Sequence, residues 1–410
     1  MKKIKFDTVL LFALVIPFVM TFRIGPGITP YWLFGIIFLG LAFYILLDIL
    51  NLGQSTYDFL KKILLWSIVV IVIGSALFSA IVVRHQTSPT YNVHDIILQQ
   101  EAAVKFLLHG KNPYAVTYFG TPMENWHYSD TEVNPALYHF VMQPFYLLFA
   151  VPFYLVMGHT VGFFDARVPL AFLFLVLLFF ASRLNIEEDK KRQFITLLAF
   201  NPATLGYFLE GRDDIFMFAF LLAAFHFLHN RKNVTSGIFM ALAFVIKQSV
   251  WPIFPFYFAY IYFQNKNLKK TFVQLLPFAA VFLAIVSPFV LWNPKAFLDS
   301  TILYLSGNVA HSYPVSGYGF GMILNQMGII KDVHAYFPFW ILQILIGLPI
   351  MAGFILWQKR GNTISRLIIS YTIFLFVFWY FSRYFNNSHL GYLSMVLITA
   401  YFWPQDTKEV

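Results

Sequence analysis

The chain has 410 residues, of which 59% are hydrophobic and 11% are charged, and its net charge is +9. Because soluble domains carry about 25% charged residues, this composition excludes an ordinary water-soluble protein. The sequence contains no cysteine, which excludes disulfides, thiol nucleophiles and cysteine-ligated metals. The basic residues lie in short loops between apolar runs, so the positive charge predicts orientation in a membrane and no nucleic-acid partner.

Apolar stretches of about 20 residues recur along the whole chain and predict an all-α, polytopic transmembrane bundle of about 12–13 membrane segments. We expect residues 1–410 to form a single integral membrane domain, since no soluble domain or clear repeat is visible. The first run follows a basic N-terminus, but the bulky residues after it offer no signal-peptide cleavage site and predict a retained helix. The predicted segments are 7–23, 32–50, 63–83, 137–157, 167–182, 194–209, 215–229, 235–250, 252–264, 272–291, 338–357, 367–385 and 390–403.

Basic loops predict which side of the membrane each connection faces. Lys2, Lys3 and Lys5 place the N-terminus in the cytoplasm. Counting crossings from the basic loops places two long polar intervals, 84–136 and 292–337, on the extracytoplasmic side. The short charged turns at the ends of several later runs fall on this side as well.

One basic loop conflicts with this count. The loop 183–192 contains Lys190 and Lys191 and belongs inside, yet two apolar runs separate it from the outer interval that ends near residue 136. Either one of these runs is not a full crossing, or the loop breaks the rule. Pro144 and Pro152 interrupt the first run, which favours a broken or interfacial segment and about twelve crossings with both termini inside.

The first outer interval contains the most polar long stretch of the chain, NVHDIILQQEAAVKFLLHGKNPY, at residues 92–114. Its apolar residues recur at helical spacing and predict an amphipathic helix that lies on the membrane surface. Asn92 is the expected N-cap, and Gly110 is expected to end the helix. Asp95 then has two interpretations, an acid that favours the helix dipole or a catalytic acid-base residue.

Three further charged clusters interrupt apolar sequence at predicted outer helix ends. Each has a structural alternative: an ordinary turn with a helix cap, a snorkelling lysine, or an interfacial arginine anchor. The functional alternative is a set of cations that bind a phosphate group. The clusters are Arg212, Asp213 and Asp214 in FLEGRDDIFMF, Lys247 in ALAFVIKQSVWPIF, and Arg383 with Tyr384 and His389 in FSRYFNNSHLGY.

Two other polar stretches carry weaker signals. The glycine-rich segment 311–321 lacks the Gly-Lys-Ser/Thr of a phosphate loop and predicts a mobile outer loop. The acids and histidines Glu124, His127, Asp130 and Glu132 have no recognised metal-binding spacing. We therefore predict no metal site and no cofactor, and a divalent cation stays open as a minor alternative.

The acids and cations gather on one predicted side of the membrane, which favours group transfer to or from a phosphorylated lipid. In these residues the sequence resembles the GT-C superfamily of glycosyltransferases, and in particular the polyprenyl-phosphate-mannose-dependent enzymes of glycosyltransferase family 87. The resemblance runs from about residue 85 onward. It depends on Asp95 followed by Gly110-Lys111-Asn112-Pro113-Tyr114, on NPATLGYFLEGRDD, on Lys247 before Trp251-Pro252, on SPFVLWNPKAF and on SRYFNNSHLGYL. It departs at residues 133–137, where Val-Asn-Pro-Ala-Leu replaces a Tyr-Pro-Pro-Leu-like element.

The resemblance implies an integral glycosyltransferase of the plasma membrane whose active site faces the extracytoplasmic side. It would transfer a hexose, with mannose favoured, from a polyprenyl-phosphate donor to a glycan, lipid or protein acceptor with inversion. Asp95 would act as general base, and Arg383, Lys247 and Arg212 would bind the donor phosphate. Further substrate contacts are expected at Asp213, Asp214, Tyr114, Trp126, Tyr318, Tyr384 and His389.

Two other classes of function stay open at this point. A transporter or lipid flippase without covalent chemistry predicts charges near the bilayer midplane and paired broken helices, neither of which the sequence shows. A non-catalytic membrane scaffold leaves the one-sided cluster of acids and cations without a purpose.

Overall fold

The computed structural model describes residues 4–21, 30–127 and 132–404. Lys2, Lys3 and Asp130 therefore lie outside the described residues. The described chain is a bundle of α-helices whose two β-strands are only two residues long, so the predicted all-α polytopic membrane fold is confirmed. The helices are α1 Phe6–Thr21, α2 Tyr31–Ile49, α3 Gln54–Thr87, α4 Asp95–Leu108, α5 Pro144–Thr160, α6 Arg167–Ser182, α7 Glu188–Ala199, α8 Leu205–Glu210, α9 Asp214–His229, α10 Asn233–Phe244, α11 Phe254–Asn265, α12 Leu268–Trp292, α13 Pro294–Leu298, α14 Tyr304–Ser306, α15 Phe320–Gln326, α16 Phe339–Lys359, α17 Ile364–Tyr380 and α18 Asn387–Phe402.

Shorter elements connect these helices. The 3-10 turns are Pro122–Asn125, Pro135–Leu137 and Gln248–Ile253, and a π-turn at Asp299–Leu303 joins α13 to α14. Strands β1, Ser316–Gly317, and β2, Tyr384–Phe385, pair in parallel. Four helices among the described residues, α2, α3, α12 and α16, are long and apolar enough to cross a membrane by themselves, and several shorter helices are equally apolar.

One end of the bundle is held by a buried group of charged side chains, which we call the base cluster: Asp7, Asp48, Lys61 and Arg192. Lys61 Nζ lies 2.8 Å from Asp48 Oδ1, and Arg192 Nε lies 2.8 Å from Asp7 Oδ2. The four residues belong to α1, α2, α3 and α7. Because buried charges are tolerated only when paired, this cluster joins the first three helices to the rest of the bundle.

The start of α5 and the start of α6 both lie next to α4. Gln100 Nε2 donates to the carbonyl of Tyr146 near the start of α5, at 2.7 Å. Just beyond its end, the Ala166 N–H donates to Glu101 Oε1 at 3.1 Å. Since Gln100 and Glu101 are neighbours on α4, α5 does not carry the chain to the opposite end of the bundle.

This arrangement settles the path of the basic loop 183–192. Helix α6 leads from the α4 end to this loop, and Asp189 then contacts Lys5 Nζ at 2.8 Å beside the base cluster. The loop therefore lies at the same end as the N-terminus, as its lysines require, and α5 is the run that is not a full crossing. Four described helices are long and apolar enough to cross a membrane unaided, and the total of about twelve crossings stays a prediction.

Two predicted runs are broken in the structure. The run 194–209 ends as α7 at Ala199, because Asn201 and Pro202 start a turn in which Asn201 Oδ1 accepts from the Ala203 N–H at 3.0 Å. The run 235–250 ends as α10 at Phe244, and Lys247 follows in extended backbone. The second break brings Lys247 and Gln248 to the wall of a cavity.

The amphipathic helix in the first outer interval is present as α4, with Gly110 at its end in the left-handed conformation at φ 72°. The predicted cap is wrong: Asn92 has φ 47°, and His94 is the N-cap instead. Its polar side is not turned to water either, because Asp95 and Gln99 are buried against other parts of the protein. Helix α4 is therefore part of the protein interior.

Candidate active site

A cavity of about 730 Å³ lies at the end of the bundle opposite the base cluster. Its walls come from the start of α4, the turn before α9, the turn after α10, the outer segment 302–318, the start of α16 and the segment 378–389. Five residues predicted from the sequence share this cavity: Asp95, Arg212, Asp213, Lys247 and Arg383. The tertiary fold thus brings together charges that lie up to 288 residues apart.

Asp95 is the first residue of α4 and is held from both sides. His94 Nδ1 lies 2.7 Å from Asp95 Oδ1, and Asn134 Nδ2 donates to Asp95 Oδ2 at 3.0 Å. The Ile96 N–H also points at His94 Nδ1, at 3.3 Å. One ring nitrogen cannot donate and accept at once, and the shorter contact to the carboxylate assigns the proton to Nδ1.

Lys247 lies between two carboxylates. Its Nζ is 2.8 Å from Asp213 Oδ1 and 2.8 Å from Asp214 Oδ1. Burial alone would lower the pKa of this amine, but the charges of Asp213 and Asp214 outweigh burial and hold the pKa of Lys247 above its ordinary value. Lys247 is therefore a cation at neutral pH, and much of its charge is already compensated.

Arg212 makes fewer close polar contacts with other protein groups than Lys247 does. Its guanidinium lies over the ring of Tyr207 at 4.3 Å, and its Nε is 3.5 Å from Glu210 Oε2, beyond a good hydrogen bond. The buried Nε has no hydrogen-bond partner among the described residues. Arg212 therefore retains donors for an anion in the cavity.

Arg383 donates three of its five N–H bonds to the backbone. Its Nη2 donates to Val333 O at 2.9 Å, its Nη1 donates to Ala335 O at 2.8 Å, and its Nε donates to the carbonyl of Tyr313. Gly307 lies so close to the guanidinium that a side chain there would clash with it. Arg383 thus ties the outer segment to the strand β2, and the contacts favour an anchoring role over a free phosphate clamp.

The other predicted contacts divide into two groups. Tyr318, Tyr384 and His389 line the cavity, and Tyr318 is 64% exposed. Tyr114 does not line it, because its ring is buried in the core and its hydroxyl donates to Met142 O at 2.8 Å. Trp126 also lies outside the lining, with its Nε1 donating to Val93 O at 2.8 Å. Asp214 reaches the cavity only through Lys247.

Several residues in or next to the cavity were not predicted. His94 and Asn134 hold Asp95, while Gln99 and Gln248 line the cavity with their side-chain amides. Asn134 belongs to the Val-Asn-Pro-Ala-Leu element at which the sequence departs from the family pattern, so this departure places a donor on Asp95. Gln99 follows Asp95 by four residues, a helical spacing that would have indicated a shared face.

Within residues 4–21, 30–127 and 132–404, no group of three or more His, Asp or Glu side chains is arranged to hold a metal ion.

The fold and the cavity define a helical membrane protein with two buried acids and several cations around a space large enough for a sugar. The family model of glycosyltransferase family 87 matches residues 140–400, which is well over half of the chain. The chain belongs to glycosyltransferase family 87 and is a membrane glycosyltransferase. No curated protein and no solved structure gives a significant match. The family match contains Arg212, Lys247 and Arg383 but begins after Asp95.

Proposed function

We propose that the protein is a GT-C-type enzyme that transfers a hexose, with mannose favoured, from a polyprenyl-phosphate donor to an acceptor hydroxyl. The reaction would take place on the extracytoplasmic face of the plasma membrane. The observation that carries this proposal is the shared cavity, in which an oriented carboxylate faces the same space as Arg212 and Lys247.

Asp95 accepts the proton of the acceptor hydroxyl in the proposed reaction. The acceptor oxygen forms a bond to the anomeric carbon while the bond from that carbon to the phosphate oxygen breaks, and the electron pair leaves with the phosphate. Attack from the opposite face inverts the anomeric configuration. His94 and Asn134 hold one Asp95 oxygen each, so the carboxylate is oriented before the acceptor enters.

Arg212 is the principal cation for the departing phosphate in this mechanism, because its guanidinium has uncommitted donors. Lys247 adds charge from the same cavity, although Asp213 and Asp214 compensate part of it. Fixed positive charge aimed at a developing anion lowers the barrier without reorganisation during the reaction.

A lipid-linked donor is supported by the position of the cavity. The basic loop 183–192 lies beside the base cluster, at the end of the bundle opposite the cavity. The positive-inside rule assigns this basic end to the cytoplasm, so the cavity faces away from cytoplasmic nucleotide sugars. Aromatic and aliphatic side chains also form part of the wall, which suits a prenyl chain: Ile302, Phe337, Phe339, Trp340 and Phe378.

The test is transfer of labelled mannose from polyprenyl-phosphate mannose in membranes that contain the full chain. We expect Asp95→Asn to remove transfer by about 10²–10⁴-fold, the usual contribution of a general base. Asp332→Asn, which changes an exposed acid outside the cavity lining, serves as the control. Unchanged transfer by a folded Asp95→Asn variant would refute the assignment of Asp95 as base.

A further inference from the structure

Two glutamines in the cavity have amide orientations that are set by the protein. Gln99 Nε2 donates to Ala136 O at 2.6 Å and to His139 O at 2.8 Å. A primary amide has only two N–H bonds, and both are used. The amide cannot flip without losing two hydrogen bonds and pressing its oxygen against two carbonyls, so the orientation is determined.

The side-chain amide of Gln248 is held in the same way. Its Nε2 donates to Val141 O at 2.9 Å and to Thr301 O at 2.8 Å. Both N–H bonds are again spent on backbone carbonyls. Since the carbonyl partners of the two glutamines include residues 139 and 141, only two positions apart, the two amides lie close together.

Both glutamines therefore present an oxygen to the cavity. Each residue lines the cavity, and its amide nitrogen faces the protein backbone. Among the described residues, no donor reaches either Oε1 atom. Each glutamine thus offers the cavity a hydrogen-bond acceptor, and an acceptor is satisfied only by a group that brings a donor.

The position of Gln99 relative to Asp95 indicates which part of a substrate contacts the glutamine oxygens. Gln99 follows Asp95 by one helical turn, and side chains with this spacing are neighbours on a helix surface. The phosphodiester of the proposed donor has no N–H or O–H to offer, and Arg212 and Lys247 supply the cations for that group. The glutamine oxygens therefore suit sugar hydroxyls, and the spacing of Gln99 from Asp95 places them beside the molecule whose hydroxyl Asp95 deprotonates.

We infer that Gln99 and Gln248 are specificity-determining residues that select a sugar as the acceptor. This inference depends on the proposed function, because it takes Asp95 as the contact of the attacking hydroxyl. One acceptor hydroxyl goes to Asp95, and two more donate to the glutamine oxygens. A hexose has enough hydroxyls for all three contacts, whereas a serine or threonine side chain has one.

The experiment measures binding of sugars to the full-length chain in lipid nanodiscs by ligand-detected NMR. The probes are methyl α-mannoside, methyl α-glucoside and methyl α-galactoside, and N-acetylserinamide represents a protein acceptor. We expect at least one hexoside to bind and N-acetylserinamide not to bind. Gln99→Met and Gln248→Met should each weaken hexoside binding by about fivefold to tenfold, the effect of one neutral hydrogen bond.

Gln100→Met is the matched control on the same helix. Gln100 also donates to a backbone carbonyl, that of Tyr146, but it does not line the cavity. Its substitution should leave hexoside binding unchanged, even if it lowers stability. A loss equal to that of Gln99→Met would show that binding depends only on how α4 is anchored, and would overturn the inference.

Monodeoxy hexosides separate a direct contact from an indirect effect on the loop. Removal of the hydroxyl that faces Gln99 should weaken binding to the wild-type chain, but should cost nothing further in Gln99→Met. Removal of the hydroxyl that faces Gln248 should likewise weaken binding to the wild-type chain and cost nothing further in Gln248→Met. Absence of hexoside binding, or equal losses for every deoxy sugar in wild type and variants, would overturn the inference.

The outcomes also distinguish this inference from the proposed function. Asp95→Asn should abolish transfer while hexoside binding persists. If hexosides bind with the expected glutamine coupling but no preparation transfers mannose, the proposed function fails and sugar selection stands. If the chain transfers mannose to a serine-containing peptide, the proposed reaction stands and sugar selection fails.

Discussion

His94 Nδ1 lies 2.7 Å from Asp95 Oδ1, so the cap residue of α4 contacts the side chain of the residue that follows it. The histidine lines the cavity as well, and its backbone N–H donates to Glu210 O at 2.8 Å. One residue therefore joins the candidate base to the turn that carries Arg212. This contact restricts the Asp95 carboxylate to the orientation in which its second oxygen meets Asn134.

His94→Ala should lower kcat by about tenfold to a hundredfold, less than the loss of the base itself, because the carboxylate remains but is no longer oriented. The measurement is transfer of labelled mannose at saturating donor. His94→Gln, which can donate to Asp95 and cap α4, should recover part of the rate. A rate equal to wild type in His94→Ala would show that the contact has no part in the reaction.

Arg212→Ala should reduce kcat by about 10²–10³-fold, which is the usual cost of removing one donor that stabilises a developing anion. Arg212→Lys should restore some of this loss, since an ammonium still supplies positive charge. The control is Lys331→Ala, which removes an exposed cation of the interval 292–337 that does not line the cavity. Equal activity of Arg212→Ala and the control would exclude Arg212 from phosphate stabilisation.

Arg383→Ala should act mainly on stability. The substitution leaves the carbonyls of Tyr313, Val333 and Ala335 without their donor, and we expect a loss of about 2–4 kcal/mol. Thermal unfolding of the purified protein measures this effect, with the exposed Arg360→Ala as control. A variant that is as stable as wild type but no longer binds the donor would restore Arg383 to the role of a phosphate clamp.

Lys61→Met should destabilise the junction of the first three helices with the bundle. Removal of the ammonium leaves Asp48 buried without its cation, and breaking a buried ion pair costs about 3–5 kcal/mol. The neighbouring Lys62 is exposed, so Lys62→Met is a matched control for the loss of one lysine. Similar thermal unfolding of the two variants would show that the base cluster does not stabilise the fold.

The sequence alone was sufficient for the class of fold, and it singled out five charged residues that the structure brings to one cavity. Long apolar runs and basic loops are local properties, and they predicted a polytopic bundle because a lipid environment leaves few other solutions for the backbone. The placement of Arg212 and Lys247 between apolar runs is also visible in the local sequence. It predicted that both residues lie at one end of the bundle.

Only the tertiary structure determines which groups these charged side chains contact. Arg383 has the sequence surroundings of a free cation, but three carbonyls from residues 48–70 positions earlier in the chain accept three of its five N–H bonds. Tyr114 comes four residues after Gly110, the predicted end of the amphipathic helix, and yet its side chain packs into the core. Asp95 owes its second hydrogen bond to Asn134, 39 residues further along. Such contacts depend on how the helices pack and turn, and local propensity carries no information about chain segments that meet only after folding.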